Sequence, residues 1–161
     1  MPLDCVHLVQ TKLITMYPML KHLHSGWRWI VLALLLAAII NAIMKWQSGK
    51  SFSESDRKLG LFAMISTHIQ FIFGLIIYFM SPLVNFDEGF MKNAVTRFFA
   101  VEHLTMMLIA IVLITIGYSR SKRQTDGTKK FKTQAIFYLI ALAIMLYAIP
   151  WPGGSIGGSW G

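Results

Sequence analysis

Four uninterrupted apolar blocks dominate the chain, at about residues 26–44, 59–80, 98–118 and 135–151, each near the about 20 residues that carry an α-helix across a bilayer core. Inside lipid a backbone must satisfy its own N–H and C=O groups, which leaves helices and closed barrels as the spanning forms. The blocks lack the apolar/polar alternation of barrel strands. Composition agrees, with 55% hydrophobic residues and only 14% charged, against roughly a quarter charged in soluble domains. Short polar connections make consecutive helices antiparallel neighbours. The expected architecture is therefore all-α: an integral membrane four-helix bundle in up-down-up-down order, one domain over residues 1–161, with helices at about 22–46, 55–81, 91–120 and 132–150.

A net charge of +8 would suit nucleic acid, but the cations are distributed for topology. Ten of the fifteen Lys and Arg residues lie in two connections: Lys45, Lys50, Arg57 and Lys58 in the first, and Arg120, Lys122, Arg123, Lys129, Lys130 and Lys132 in the third. The positive-inside rule then makes those loops cytoplasmic and both termini periplasmic, in a multi-pass protein of the bacterial inner membrane. The expected partner is the lipid bilayer and not nucleic acid, and the third loop's cations can also touch anionic lipid.

Local signals refine the plan. Tyr17, Trp27 and Trp29 suit an aromatic belt at headgroup depth, with Lys21 and Arg28 snorkelling beside them. Ser53 or Ser55 can cap helix two, and Ser81-Pro82 ends it. The stretch Asp87–Arg97 reads as the water-exposed start of helix three, and Asp126-Gly127 as the turn before helix four. The Gly/Pro-rich residues 151–161 read as an external tail or a flap over the bundle mouth. Residues 1–15 carry no signal-peptide pattern; the helix-one phrase starts at Met16, so they read as an N-terminal extension. Cys5 is the only cysteine, which rules out an intramolecular disulfide or a CxxC motif. The ten methionines read as gap-fillers within the apolar blocks.

Ionisable side chains in hydrocarbon are costly, so His68, Glu102 and His103 invite a functional reading, joined by His24, which shares a helix face with Arg28. Helical rise sets their depths. His24 lies roughly 31 Å from the basic end of its helix, His103 roughly 25 Å and His68 roughly 15 Å. His24 and His103 are the better-matched pair, on helices one and three, which are diagonal in an up-down bundle. The gap between diagonal helices accepts a flat group ligated by an imidazole on each face. Haem b is such a group, with Arg28 and Arg97 as propionate partners, His68 as the alternative iron ligand and a His68/Met145 pair as a further alternative. A zinc or copper site from His24, His68, His103 and Glu102 would demand a depth spread of about 16 Å to close. The simpler use of the same histidines is hydrogen bonding between helices, with Ser66, Thr67, Gln70 and Thr105 as partners, while Glu102 suits pairing with Arg97 or with a ring N–H. Neither a Ser-His-Asp constellation nor a phosphate-cradling glycine loop occurs.

The phrases HLHSGWRWIVL, DRKLGLFAMISTHIQFIFGLIIYFMSP, RFFAVEHLTMMLIAIVLITIGYSRSK and AIPWP together resemble a family of small four-helix bacterial membrane proteins labelled cytochrome b-like. The resemblance spans Met16 to Trp151 and marks His24, Arg28, His68, Glu102 and His103 as family positions. It implies a haem-binding protein that takes part in electron transfer within a respiratory or other redox chain, an electron carrier or subunit more than a stand-alone enzyme. Other membrane redox subunits or quinone would be its partners. Helix four lacks the histidine that a second bis-histidine haem would need. The alternative expectation is a cofactor-free structural or assembly subunit of a membrane complex.

Overall fold

The computed structural model describes residues 2–151, 153, 154 and 156, with side chains from Met16 onward. The expectations for residues 1–15, Cys5 among them, concern side chains outside the described residues, as does the end of the tail, residues 157–161. Among the described residues the chain is all-helical, with four helices long and apolar enough to cross a membrane. We label them α1 (Pro2–Gln47), α2 (Glu54–Met80), α3 (Ala94–Arg123) and α4 (Gly127–Ala148).

Capping chemistry fixes their ends. Ser53 and Asp56 form a reciprocal capping box at the start of α2, in which Asp56 N–H donates to Ser53 Oγ (3.4 Å) and Ser53 N–H to Asp56 Oδ2 (2.9 Å). At the far end Ser81 is extended and Pro82 follows, so the helix stops at Met80. Two starts differ from expectation. Gly89, with a left-handed φ of 84°, and a 3₁₀ turn at Phe90–Lys92 interrupt the segment expected to open helix three. Asn93 then caps α3, its Oδ1 accepting from the N–H groups of Val95 and Thr96. Asp126 is the cap of α4 rather than part of a free turn, accepting from Lys129 N–H at 3.1 Å, and α4 begins at Gly127 instead of near 132. Helix one also begins upstream of residue 22, passing through Pro18 without a break.

Inside α3 the first helical turn, Ala94–Arg97, gives way to a π turn at Phe98–Glu102 before regular α-helix resumes at His103. Such one-residue insertions re-aim the side chains that follow them.

α1 packs on α2 and α4, α3 packs on α4 and α2, and α1 and α3 are not packed neighbours. Bonds between α1 and α2 run in opposite chain order: Tyr17 hydroxyl with Ser81 hydroxyl, Gln70 with the His24 carbonyl, Asn41 with Asp56. The core centres on Leu35, Ile114 and Tyr138, and alanines at 38, 63, 110 and 141 keep the helices close. Gly117 belongs to the same device, since a Cβ there would stand 2.5 Å from the Cβ of Phe137. Many large apolar residues face outward, among them Ile40, Phe62, Ile72, Phe79 and Leu139, as contact with lipid requires. Trp27, expected in the interfacial belt, instead turns inward: its indole donates to the Ser66 carbonyl and its ring meets Phe73 edge-on.

The opposite end of the α1–α2 pair holds a buried carboxylate. Asp56 is 3% exposed and accepts from Lys45 Nζ (2.6 Å), Asn41 Nδ2 (2.8 Å) and Ser53 Oγ (2.7 Å). A buried charge with this many donors is satisfied and rigid.

Candidate functional site

A cavity of about 550 Å³ opens between the helices near the start of α3, within the about 300–1,000 Å³ common for small-molecule sites. Lys21, His24 and Arg28 reach it from α1, Gln70, Gly74 and Tyr78 from α2, His103 from α3 and Met145 from α4. Ile156 of the tail also lines it.

His24 fits because α2 offers no side chain opposite it. A Cβ at Gly74 would lie 3.1 Å from His24 Cε1, so the glycine makes room for the imidazole edge. Gln70, one turn before Gly74, donates its amide to the backbone carbonyl of His24 at 2.9 Å and ties the two helices at that level. His24 Nδ1 and Gln70 Oε1 are nevertheless buried without a hydrogen-bond partner among the described residues. Two unmatched polar atoms on facing helices are uncommon in a finished core.

His103 is the first residue after the π turn. Its Nδ1 lies 2.8 Å from the carbonyl oxygen of Ala148, the last residue of α4. That carbonyl has no partner further along its own helix, because α4 ends there and residue 152, whose N–H a continued helix would use, is proline. A carbonyl only accepts, so Nδ1 carries the proton and Nε2 keeps its lone pair. The rings of Phe98 and Phe99 flank the imidazole at 5.7 and 6.5 Å between centroids. The π turn itself is pinned by Tyr78, whose hydroxyl donates to the Ala100 carbonyl at 2.9 Å.

The other sequence candidates part company with these two. His68 does not line the cavity; its Nδ1 lies 2.8 Å from the Met64 carbonyl and its Nε2 3.4 Å from the Thr115 hydroxyl. Both ring nitrogens thus have protein neighbours, and its interhelical partner is Thr115 rather than Thr105. Met145 lines the cavity without His68. Arg97 donates Nε to Glu102 at 2.7 Å and Nη1 to the Met91 carbonyl, as expected of the Arg97–Glu102 pair, and does not line the cavity. Arg28 does line it, with its guanidinium also 5.4 Å from the Trp29 ring. Lys21, expected at the membrane surface, lines it too.

Among the described residues no three or more His, Cys, Asp or Glu side chains gather around one point as a bare metal ion would need. The four-ligand reading of His24, His68, His103 and Glu102 fails because His68 is bonded elsewhere and Glu102 is held by Arg97. The arrangement leaves two imidazoles from unpacked helices at one apolar cavity, with cations beside them. Chemically it offers imidazole nitrogens and positive charge to one ligand in an apolar setting. Gln70, Gly74, Tyr78 and the Ala148 carbonyl complete the site. Gln70 is among the expected interhelical partners, and Gly74 offers a signal as an isolated glycine in an apolar helix.

No protein-family model matches the chain, and neither does any curated protein or solved structure.

Proposed function

We propose that the chain is a haem b-binding, electron-transferring membrane bundle of the cytochrome b-like type, in which His24 and His103 would hold the haem iron. Its helices would run up-down-up-down in a bacterial inner membrane, with both termini periplasmic. The observation that carries the reading is the tautomer of His103, whose Nδ1–H is anchored on Ala148 so that Nε2 is the nitrogen left to ligate. The second support is His24 at the same cavity with its own Nδ1 unmatched. These residues fit a bis-imidazole group, and the cavity volume fits a molecule of that class.

Each residue has a defined task in this reading. His103 is oriented by the end of α4 and flanked by Phe98 and Phe99. His24 is set in height by Gln70, which grips its carbonyl, and in rotation by the gap at Gly74. Arg28 and Lys21 supply positive charge for propionates, a task that the Glu102 pairing denies to Arg97. The electron chemistry would belong to the haem iron, while the chain sets its position and surroundings. Donor and acceptor would be other membrane redox subunits or quinone.

The competing reading, a cofactor-free structural or assembly subunit, draws on His68, which shows that this fold also uses histidine as an interhelical tie. A reduced-minus-oxidised absorption spectrum of the protein purified in mild detergent separates the two. A sharp haem b band is the expected result; a colourless, folded preparation from haem-replete cells overturns the proposal.

A further inference from the structure

A second, smaller pocket of about 110 Å³ lies at the other end of the bundle, where α2 begins, α3 ends and α4 begins. Three cations and three polar side chains line it beside the Phe52 ring: Arg57 from α2, Tyr118, Ser121 and Lys122 from α3, Lys130 and Gln134 from α4. We propose that this pocket binds the phosphate of an anionic membrane lipid.

The three cations come from three different helices, so the tertiary fold and not one charged stretch brings them together. Arg57 engages Glu54 through Nε and Nη2 and also bonds the Tyr118 hydroxyl, which fixes its guanidinium at the pocket rim. Lys130 Nζ stands 5.2 Å from the Phe52 ring centroid, a contact that steadies the ammonium without using its N–H donors. Lys122 makes no ion pair among the described residues. Three positive charges thus face one negative, Glu54.

The floor of the pocket supplies the independent observation. Gln134 is only 4% exposed, yet its amide makes no hydrogen bond among the described residues. It lies against Gly60, where a Cβ would stand 2.3 Å from Nε2, so the fold has cleared space on α2 to admit it. The neighbouring polar groups are already committed: Tyr138 hydroxyl donates to the Gly60 carbonyl and Ser121 Oγ to the Lys130 carbonyl. The Gln134 amide is open to the pocket under a rim of cations, and its N–H groups can donate to the oxygens of a phosphate.

Depth selects the source of that phosphate. The pocket is lined from the first turn of α2, the last turns of α3 and the first turns of α4, where the apolar spans give way to polar connections and lipid headgroups lie. Its volume admits a headgroup phosphate while the acyl chains stay along the outer helix faces. Free phosphate has the same chemistry, and the experiment must tell the two apart.

The test is native mass spectrometry of the full-length protein, delipidated in a neutral detergent and titrated with dioleoyl phosphatidylglycerol, with phosphatidylcholine and with inorganic phosphate. The wild type should take up one phosphatidylglycerol saturably, prefer it at least about tenfold over phosphatidylcholine, and keep it in millimolar phosphate. Lys122→Gln with Lys130→Gln should weaken the lipid at least about tenfold, since each charge-assisted contact is worth about that factor. Lys129→Gln with Lys132→Gln removes equal charge from the same segment outside the pocket and should change it less than about threefold. Gln134→Leu, which removes no charge, should also weaken it. Equal losses in the two double variants would reduce the effect to diffuse attraction and overturn the proposal. So would equal uptake of the two lipids, or displacement of phosphatidylglycerol by millimolar phosphate.

Discussion

His103 Nδ1 and the carbonyl oxygen of Ala148 stand 2.8 Å apart, joining α3 to the final turn of α4. The bond fixes which nitrogen of the ring remains basic, and it uses a helix-end carbonyl that the chain must satisfy in any case. One contact therefore both seals α4 and orients the imidazole. His68 makes the same kind of bond to Met64 but within its own helix, and it lies outside the cavity lining.

His24→Ala and His103→Ala should each abolish the low-spin haem spectrum, while His68→Ala should leave it and lower thermal stability by the loss of the Thr115 contact. Absorption spectra of the three variants, purified alike, check this. Loss of the haem in His68→Ala alone would shift the ligand set to that residue.

Arg28→Ala should weaken haem retention or shift its midpoint potential, and Lys21→Ala should have a smaller effect in the same direction because it lines the same cavity. Arg97→Ala should leave the spectrum in place, since that guanidinium is held by Glu102 and the Met91 carbonyl. A redox titration of the three proteins orders them.

Gly74→Val should displace the His24 ring, because even a Cβ there approaches Cε1 to 3.1 Å. The expected outcome is a high-spin or haem-depleted protein whose helix content by circular dichroism is unchanged. An unaltered spectrum would show that His24 can move aside and still ligate, or does not ligate at all.

Asp56→Ala should cost about 2–3 kcal/mol, since it removes the capping box and leaves Lys45 and Asn41 without their shared acceptor. Thermal unfolding in detergent measures it. Glu54→Ala, which breaks only the exposed contact with Arg57, should cost less than about 1 kcal/mol.

Much of this fold could be read directly from the residues. The four spans follow from unbroken apolar runs, and the residues narrow the cap of α2 to Ser53 or Ser55, between which the reciprocal bonds with Asp56 decide for Ser53. The start of α3 was harder, because Gly89 and Asn93 act through backbone geometry that hydropathy does not register. At the site, His24, His103 and Arg28 stand out as polar residues in apolar helices, whereas the Ala148 carbonyl has no side-chain signature whatever. Gln70 reads as a generic interhelical donor; its grip on the His24 carbonyl emerges only when α1 and α2 are set in register. The division between His68 and His103 depends on where each ring nitrogen points, which spacing along one helix does not encode.

The π turn at Phe98–Glu102 divides α3 into two stretches with different rotational phase. Residues before it and after it do not share one helical wheel: Arg97 meets Glu102 five positions on, and His103 starts a fresh count. Each residue adds about 100° of rotation, so removing a single residue from that turn would spin everything upstream by about a quarter-turn relative to His103. Length at this point is therefore a steering variable, and the chain between Phe98 and Glu102 will tolerate exchanges of side chain far better than a change in the number of residues.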